Sequence, residues 1–369
     1  MTDTYARLGV RRVINAAATL TKLGGSVMPP AVVAAMSAAA DSFVDLHELQ
    51  RRVGERIAGL TRNEACYVSS GAAAGITLAV AACIAGTDPA LLTAFPYLDG
   101  RPREVITWRS QRNGYQYAAC LTGARLREIE GTAQDLRDAC TERTACILWF
   151  AGSHYTAGAL PLNEVVPIAR EKGIPVLVDA AAQIPPLANL WRFTTEMGAD
   201  AAIFSGGKGL RGPQSTGMVL GRQAIIDGCR ANGNPNHAIG RPMKVGKEEL
   251  AGILAAVEWS LAQDEPALLA AYEATVQCWL AGLAGLPGVA AERRYPSEAG
   301  QPHGRAIVHL GPNAPLTRDT LVKRLWERDP RIAVSVAGAD AIALNPQTLQ
   351  PGEADLVLAA IREAVLAGG

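Results

Sequence analysis

Lys208 lies within Ala201 to Gly217, AAIFSGGKGLRGPQSTG, where the apolar run Ala202-Ile203-Phe204 ends in Ser205-Gly206-Gly207 and Gly209-Leu210-Arg211-Gly212-Pro213 follows. A strand that stops at glycines and presents one lysine suits an amine that bonds covalently. Twenty-nine residues earlier, Ile174-Pro175-Val176-Leu177-Val178 forms a second apolar run that ends in Asp179. A carboxylate at the end of one strand and a lysine at the end of the next are the two groups pyridoxal phosphate requires. The carboxylate keeps the pyridinium nitrogen protonated and the amine forms the Schiff base. Plainer roles exist for both, a solvated lysine and a helix N-cap. Against them, the glycines around Lys208 and the small residues Ala180, Ala181 and Ala182 leave room for a flat ring. Gln183 follows within reach of a ring substituent, and Ser205 is placed to bind the cofactor phosphate. A free lysine, with a pKa of about 10.4, is a poor base at neutral pH. Released from an imine beside a cationic cofactor, it becomes a usable proton shuttle.

Four further segments could border the same site. Ser69-Ser70-Gly71-Ala72-Ala73-Ala74-Gly75 reads as a strand-to-helix junction of small residues. Free N–H groups at such a helix start attract a phosphate, and the Ser70 hydroxyl adds to them; tight packing of helix on sheet is the plainer use. Thr107 to Tyr115, TWRSQRNGY, follows another strand end, and something here must cover the ring face: Gln111 first, Tyr115 as the alternative. His154 follows the Ile147–Phe150 strand and is set either to contact the cofactor's phenolic oxygen or substrate, or to sit on a surface loop. Asn236 to Lys247, NHAIGRPMKVGK, gathers Arg241, Lys244 and Lys247 among glycines. It reads as a solvated linker or as an anion-binding loop reaching a neighbouring subunit's site.

The elements that must position these groups alternate. Helices are expected over 30–40 and 45–60, the second opening at Asp45 with Glu48 three residues on, a capping-box-like start. Strands are expected at Cys66–Val68, Glu104–Trp108, Ala145–Phe150, Pro175–Asp179, Ala201–Phe204 and Gly217–Leu220, with helices at Ala72–Ala85 and Asn163–Lys172 between them. Strands alternating with helices imply a largely parallel, covered sheet. Residues 247–285 read as helix interrupted near Asp264-Glu265-Pro266. Strand Arg305–Leu310, helix Arg318–Glu327, strands Ile332–Val336 and Ala341–Leu344 and a helix from about Gly352 complete a second α/β unit.

The chain has 369 residues, 49% of them hydrophobic and 5% aromatic, enough for a large and a small domain. Lys+Arg and Asp+Glu both number 35, so charge predicts neither a nucleic-acid nor a membrane surface. The seven cysteines (Cys66, Cys83, Cys120, Cys140, Cys146, Cys229 and Cys278) contain no CxxC pair and read as reduced thiols. The five histidines are scattered, so no metal site is expected. Without an apolar signal core or a long uncharged apolar run, the expectation is a soluble cytoplasmic protein.

FSGGKGLRGPQSTG, VINAAATLTKLGGSVMPP, FVDLHELQ, SSGAAAGITLAVAACIAG and IGRPMKVGKEEL together resemble the selenocysteine-synthase-like branch of fold-type I pyridoxal-phosphate enzymes, closest to the D-glucosaminate-6-phosphate ammonia-lyase type. The resemblance runs from about residue 10 to Asn345-Pro346-Gln347-Thr348-Leu349. It implies an α/β fold with a mainly parallel seven-stranded sheet and a smaller C-terminal α/β domain. The corresponding boundaries are an N-terminal segment 1–45 packing with the small domain, a cofactor domain 46–246, and a linking helix with small domain 247–369. It also implies a homodimer or higher homo-oligomer with active sites at the subunit interface. Carried over, Lys208 matches the Schiff-base lysine, Asp179 the pyridine-nitrogen partner, and Ser70, Gly71 and Ser205 the phosphate cup, with Ala72, Ala181 and Gln183 beside them. Gln214 and the Arg241–Lys244 loop match segments that complete a partner's site. Related sequences read His-Arg-Asn where this chain has Gln111-Arg112-Asn113, and the Ser153-His154-Tyr155 loop also differs. Glutamine neither stacks nor exchanges protons as imidazole does, so the reaction type is not simply inherited; the expected reaction is α,β-elimination at the α-carbon of a small amino acid or amino sugar acid, with racemase or epimerase, then aldolase, as alternatives. Selenium transfer on an aminoacyl-tRNA ranks last. Arg241, Arg305 and Arg331 all stand open as the substrate-carboxylate residue.

Overall fold

Short apolar runs that end in serine, aspartate or glycine fold as strands because their side chains must be buried on two faces at once. The computed structural model describes residues 4–367. Strand β1 (Val13–Asn15) belongs to a unit formed by the N-terminal segment up to Val27 and the chain from Asp264 onward; residues 28–263 form the other. In the second unit β2 (Ala65–Ser69), β3 (Glu104–Trp108), β4 (Arg125–Ile129), β5 (Thr144–Phe150), β6 (Val176–Asp179), β7 (Ala201–Ser205) and β8 (Gly217–Gly221) build one sheet in the order β2-β8-β7-β6-β5-β3-β4. Only β8 runs antiparallel to its neighbours β2 and β7; β7, β6, β5, β3 and β4 pair in parallel.

Alternation along the strands explains both covers. Val68, Ile147, Val178 and Phe204 pack into one apolar cluster, while Tyr67, Leu148, Leu177 and Ile203 pack into another on the opposite face. The alanine-rich helix Ala72–Ala85 lies in the second cluster, with 11 buried residues. Small side chains let it come close: a Cβ on Gly75 would lie 2.8 Å from Ile203 Cγ2. The helix Leu46–Leu60 starts as its sequence indicates, Asp45 Oδ1 accepting the Glu48 N–H at 2.8 Å.

The boundaries of this unit differ from the expected 45/46 and 246/247. Helices Pro30–Ala40 and Lys247–Leu261 pack on each other inside it: Gly252 lies against Met36, and Lys247 Nζ donates to Ala39 O at 2.8 Å. Helix Lys247–Leu261 also places Ile253 against Gly206, so it is part of the lysine loop's support rather than a linker.

The first unit holds an antiparallel sheet, β12 (Ser335–Ala337), β13 (Ala341–Leu344), β10 (Arg305–Leu310) and β9 (Val289–Arg294) in that order, and a parallel pair of β1 with β11 (Arg331–Ala333). The single strand expected over Ile332–Val336 is thus two strands in different sheets. Val276, Trp279, Leu321, Val357 and Ile361 supply helical faces of its core. No described helix is long and apolar enough to cross a membrane.

Candidate active site

The carboxyl ends of β5, β6 and β7 bring the first expected pair together. Phe150 pairs with Asp179, and Asp179 pairs with Ile203, five residues before Lys208. The Asp179 backbone is held on both sides, its carbonyl accepting the Ala151 N–H at 2.9 Å and the next N–H, of Ala180, donating to Ile203 O at 2.9 Å. Its Oδ1 accepts the Ala181 N–H at 2.9 Å. Burial pushes the Asp179 carboxyl above its usual range, opposed by that hydrogen bond and by the Lys208 charge. Burial likewise pulls the Lys208 amine down, opposed by Asp179. A carboxylate and an amine, both poorly solvated and each within reach of the other's field, mark a functional site.

The backbone around Lys208 is fixed by close approach. Arg211 N–H donates to Lys208 O at 3.0 Å, Gly212 N–H to Gly206 O at 2.8 Å, and Gly206 N–H to Thr216 O at 2.8 Å. A Cβ on Gly206 would strike Thr216, on Gly207 the Gln214 backbone, and on Gly209 the Ile184 carbonyl. The glycines that signalled this loop therefore serve its packing as well as its ligand.

Ser205 ends β7 opposite Gly217 of β8, and a Cβ on Gly217 would lie 2.5 Å from Gly71 C and 2.7 Å from Ala72 N. Gly217 is therefore the seat that draws the Ser70-Gly71-Ala72 turn against Ser205. Gly71 adopts φ +89°, and no side chain caps the helix that begins at Ala72. Uncapped N–H groups at a helix start, two serines and a backbone without side chains fit a phosphate, and the Asp179–Lys208 pair fits the ring of pyridoxal phosphate. Gln183 is buried, its Nε2 3.5 Å from Ala151 O, while Gln214 is exposed.

One expectation needs correction. Gln111 is 0% exposed, and both ends of its amide are engaged: Nε2 donates to Phe150 O and Oε1 accepts the Phe150 N–H, each at 3.0 Å. Its amide is spent on the β5 backbone. A neighbour of Phe150 to which sequence reasoning gave no role is Tyr155. Its ring lies 5.7 Å from Phe150 and 3.9 Å from His154, which is itself exposed. Burial holds the Tyr155 hydroxyl above the usual phenol range, and neighbouring Tyr115 and Asp179 push the same way. Nothing in the order Ser153-His154-Tyr155 distinguishes which ring faces inward; the short helix Ser153–Thr156 decides it.

The cation loop stays within its own segment: Arg241 Nη1 bonds Asn234 Oδ1 at 3.2 Å, and Lys244 is exposed. In the other unit Arg305 pairs with Glu298 at 3.3 Å and the Arg331 guanidinium stacks on Trp326 at 4.7 Å. Among the described residues no cluster of His, Cys, Asp and Glu could hold a metal ion.

Comparison with known proteins decides the family. Residues 107–232 match the aminotransferase class-V family. The chain is 32% identical to D-glucosaminate-6-phosphate ammonia lyase of Salmonella typhimurium over 97% of both lengths. A solved structure of D-glucosaminate-6-phosphate ammonia-lyase covers the whole chain with a TM-score of 0.86 and 30% identity. The chain belongs to the selenocysteine-synthase-like branch of the fold-type I pyridoxal-phosphate enzymes. The 5'-C-glycyluridine monooxygenase-decarboxylase of a Streptomyces species is also 32% identical, over 99% of this chain and 92% of that protein. The L-seryl-tRNA(Sec) selenium transferase of Nitratidesulfovibrio vulgaris is 28% identical, over 98% and 83%. The cofactor of this enzyme is pyridoxal phosphate.

Proposed function

We propose that this enzyme is a lyase that releases ammonia from a small amino acid or amino sugar acid by α,β-elimination. The observation that carries the reading is the buried Asp179–Lys208 pair at the ends of neighbouring parallel strands, in a chain so similar to an ammonia lyase. Bound there, pyridoxal phosphate supplies an electron sink for the pair left on the substrate α-carbon. The remaining work falls to the chain. Ser70, Ser205 and the N–H groups at Gly71 and Ala72 hold the phosphate. Asp179, aimed by the Ala181 N–H, holds a proton at the ring nitrogen. Lys208 anchors the cofactor and then carries the α-proton, and its desolvation favours the neutral amine that can accept one. Gln183 and Gln214 border the cofactor, His154 serves the cofactor's phenolic oxygen or the substrate, and Arg241 and Lys244 complete the site of a second subunit.

Phe43 and Val44, adjacent and exposed within the FVDLHELQ segment, form an apolar patch that supports a homodimer or larger homo-oligomer. All seven cysteines are unpaired, which supports a cytoplasmic enzyme. The balanced charge supports a small substrate rather than RNA.

Incubating the purified holoenzyme with D-glucosaminate 6-phosphate and with D- and L-amino acids, one at a time, tests the reaction. Ammonia and a keto acid in equal amounts are expected. Exchange of the α-proton with solvent and no ammonia would replace the reading by racemisation, and retro-aldol fragments by an aldolase. A second reading has its own support in the monooxygenase-decarboxylase relative. Oxygen uptake with carbon dioxide release from an α-amino acid would favour it.

A further inference from the structure

We infer that Gln111 is a positioning residue whose amide, locked on the backbone of Phe150, seats Tyr155 at the Asp179 edge, and that Tyr155 is the side chain of this loop that touches the cofactor. The inference rests on the pyridoxal-phosphate site described above.

The sheet leaves a gap that Gln111 fills. On β5, Ile147 N–H donates to Pro175 O and Ala151 N–H donates to Asp179 O, so the odd-numbered residues bond toward β6. Phe150 therefore points its N–H and C=O the other way, toward β3. There the pairing of β3 with β5 has already ended at Ile106 and Ile147. Without Gln111 both Phe150 groups would be buried and unsatisfied, which backbone groups rarely are. The amide acts as one residue of a missing strand, making the same two bonds a neighbour would make.

What those bonds hold in place is the site edge. Phe150 is in register with Asp179, its ring packs on Tyr155, and Tyr155 N–H closes the turn on Gly152 O at 2.9 Å. A second line runs from the Gln111 carbonyl, which accepts Asn113 Nδ2 at 2.8 Å; Asn113 Oδ1 in turn accepts the Tyr115 N–H at 2.7 Å. Both tyrosines are thus tied to one buried residue. The ionisable groups that neighbour the Tyr155 hydroxyl are Tyr115 and Asp179, and the His154 ring lies tilted against its ring.

The test uses the holoenzyme and its apo form with Tyr155→Phe, Gln111→Met, Gln111→Glu and the combinations with Tyr155→Phe. Cofactor affinity is read by equilibrium dialysis, and the pH titration of the resting enzyme's visible band by absorbance. Losing one hydrogen bond to a charged ligand predicts about a tenfold weaker cofactor affinity for Tyr155→Phe, with a displaced titration. Gln111→Met should move both readouts the same way, and adding it to Tyr155→Phe should move them no further. Gln111→Glu, which as a carboxylate can accept from Phe150 N–H but donates to its carbonyl only when protonated, should fall between wild type and Gln111→Met at pH values where it is ionised, and it decides the coupling if Gln111→Met does not fold. Unchanged affinity and titration in Tyr155→Phe would overturn the contact, and additive effects would overturn the positioning role. Wild-type enzyme that binds no cofactor at Lys208 would instead sink the site reading itself, so the two failures are distinguishable.

Discussion

Gly217→Ala tests whether the Ser70-Gly71-Ala72 turn is the phosphate cup. The new Cβ would lie 2.5 Å from Gly71 C, where ordinary contact begins at 3.4 Å, so the turn must retreat by about 0.9 Å. The neighbours that resist are backbone atoms of the turn and the β7–β8 pairing, not a flexible side-chain end. Overpacking of this kind costs roughly 1–3 kcal/mol of stability. A binding constellation tolerates only about 0.5 Å, and a displacement of about 1 Å in positioning groups can cost on the order of 100-fold. We therefore expect cofactor affinity to fall about 10- to 100-fold, equivalent to roughly 1.4–2.8 kcal/mol. Gly228→Ala serves as the steric control, because its Cβ would also meet a neighbour at 2.5 Å, Ala82 Cβ, on the same helix but away from its start. The assay titrates apoenzyme with pyridoxal phosphate and measures urea unfolding of each variant. Gly228→Ala should lose stability at unchanged affinity. If Gly217→Ala lost stability yet bound cofactor as tightly as wild type, the phosphate would have to sit elsewhere.

Asp179→Asn should weaken cofactor binding while making the apoenzyme more stable at neutral pH. Burial raises the Asp179 pKa, so its native state favours the protonated acid; that contribution is complete below the unfolded value and is lost as pH rises through the folded one. The variant's advantage in urea unfolding should therefore grow from about pH 4 upward, and a constant difference would contradict the assignment of burial as the dominant cause. On the proposed homo-oligomer, Phe43→Asp should weaken the interface. A phenylalanine buried at each side of a twofold interface is worth about 1.5–3 kcal/mol per copy, so light scattering should show about a 100-fold or greater rise in the dissociation constant. An unchanged mass across dilution would place the interface elsewhere.

Sequence pattern reached the cofactor sheet because its strands are buried on both faces and end at small or charged residues. Glu104–Trp108, Arg305–Leu310 and Ala341–Leu344 fall where their apolar runs lie, and helix Ala72–Ala85 begins where glycine and alanine replace serine. Three strands escaped: β1, too short at three residues to show a period, and the edge strands β4, RLREI, and β9, VAAERR, which face solvent on much of their length and carry no apolar run. Around Lys208, Asp179 and the Ser70 turn, glycine and alanine stand where backbone comes close to backbone, which the sequence displays. The backbone contacts of Gln111 are not displayed in the same way. A glutamine after a strand end gives no local sign that its amide will be used by a backbone 39 residues away. The 5.7 Å packing of Tyr155 on Phe150 likewise has no counterpart in spacing along the chain.

Borohydride reduction of the purified holoenzyme, followed by peptide mapping, tests the central claim most directly. The account predicts that the reduced cofactor is found on Lys208 and that Lys208→Arg abolishes the label while the protein stays folded. A label on any other lysine, or no label at all, would contradict it.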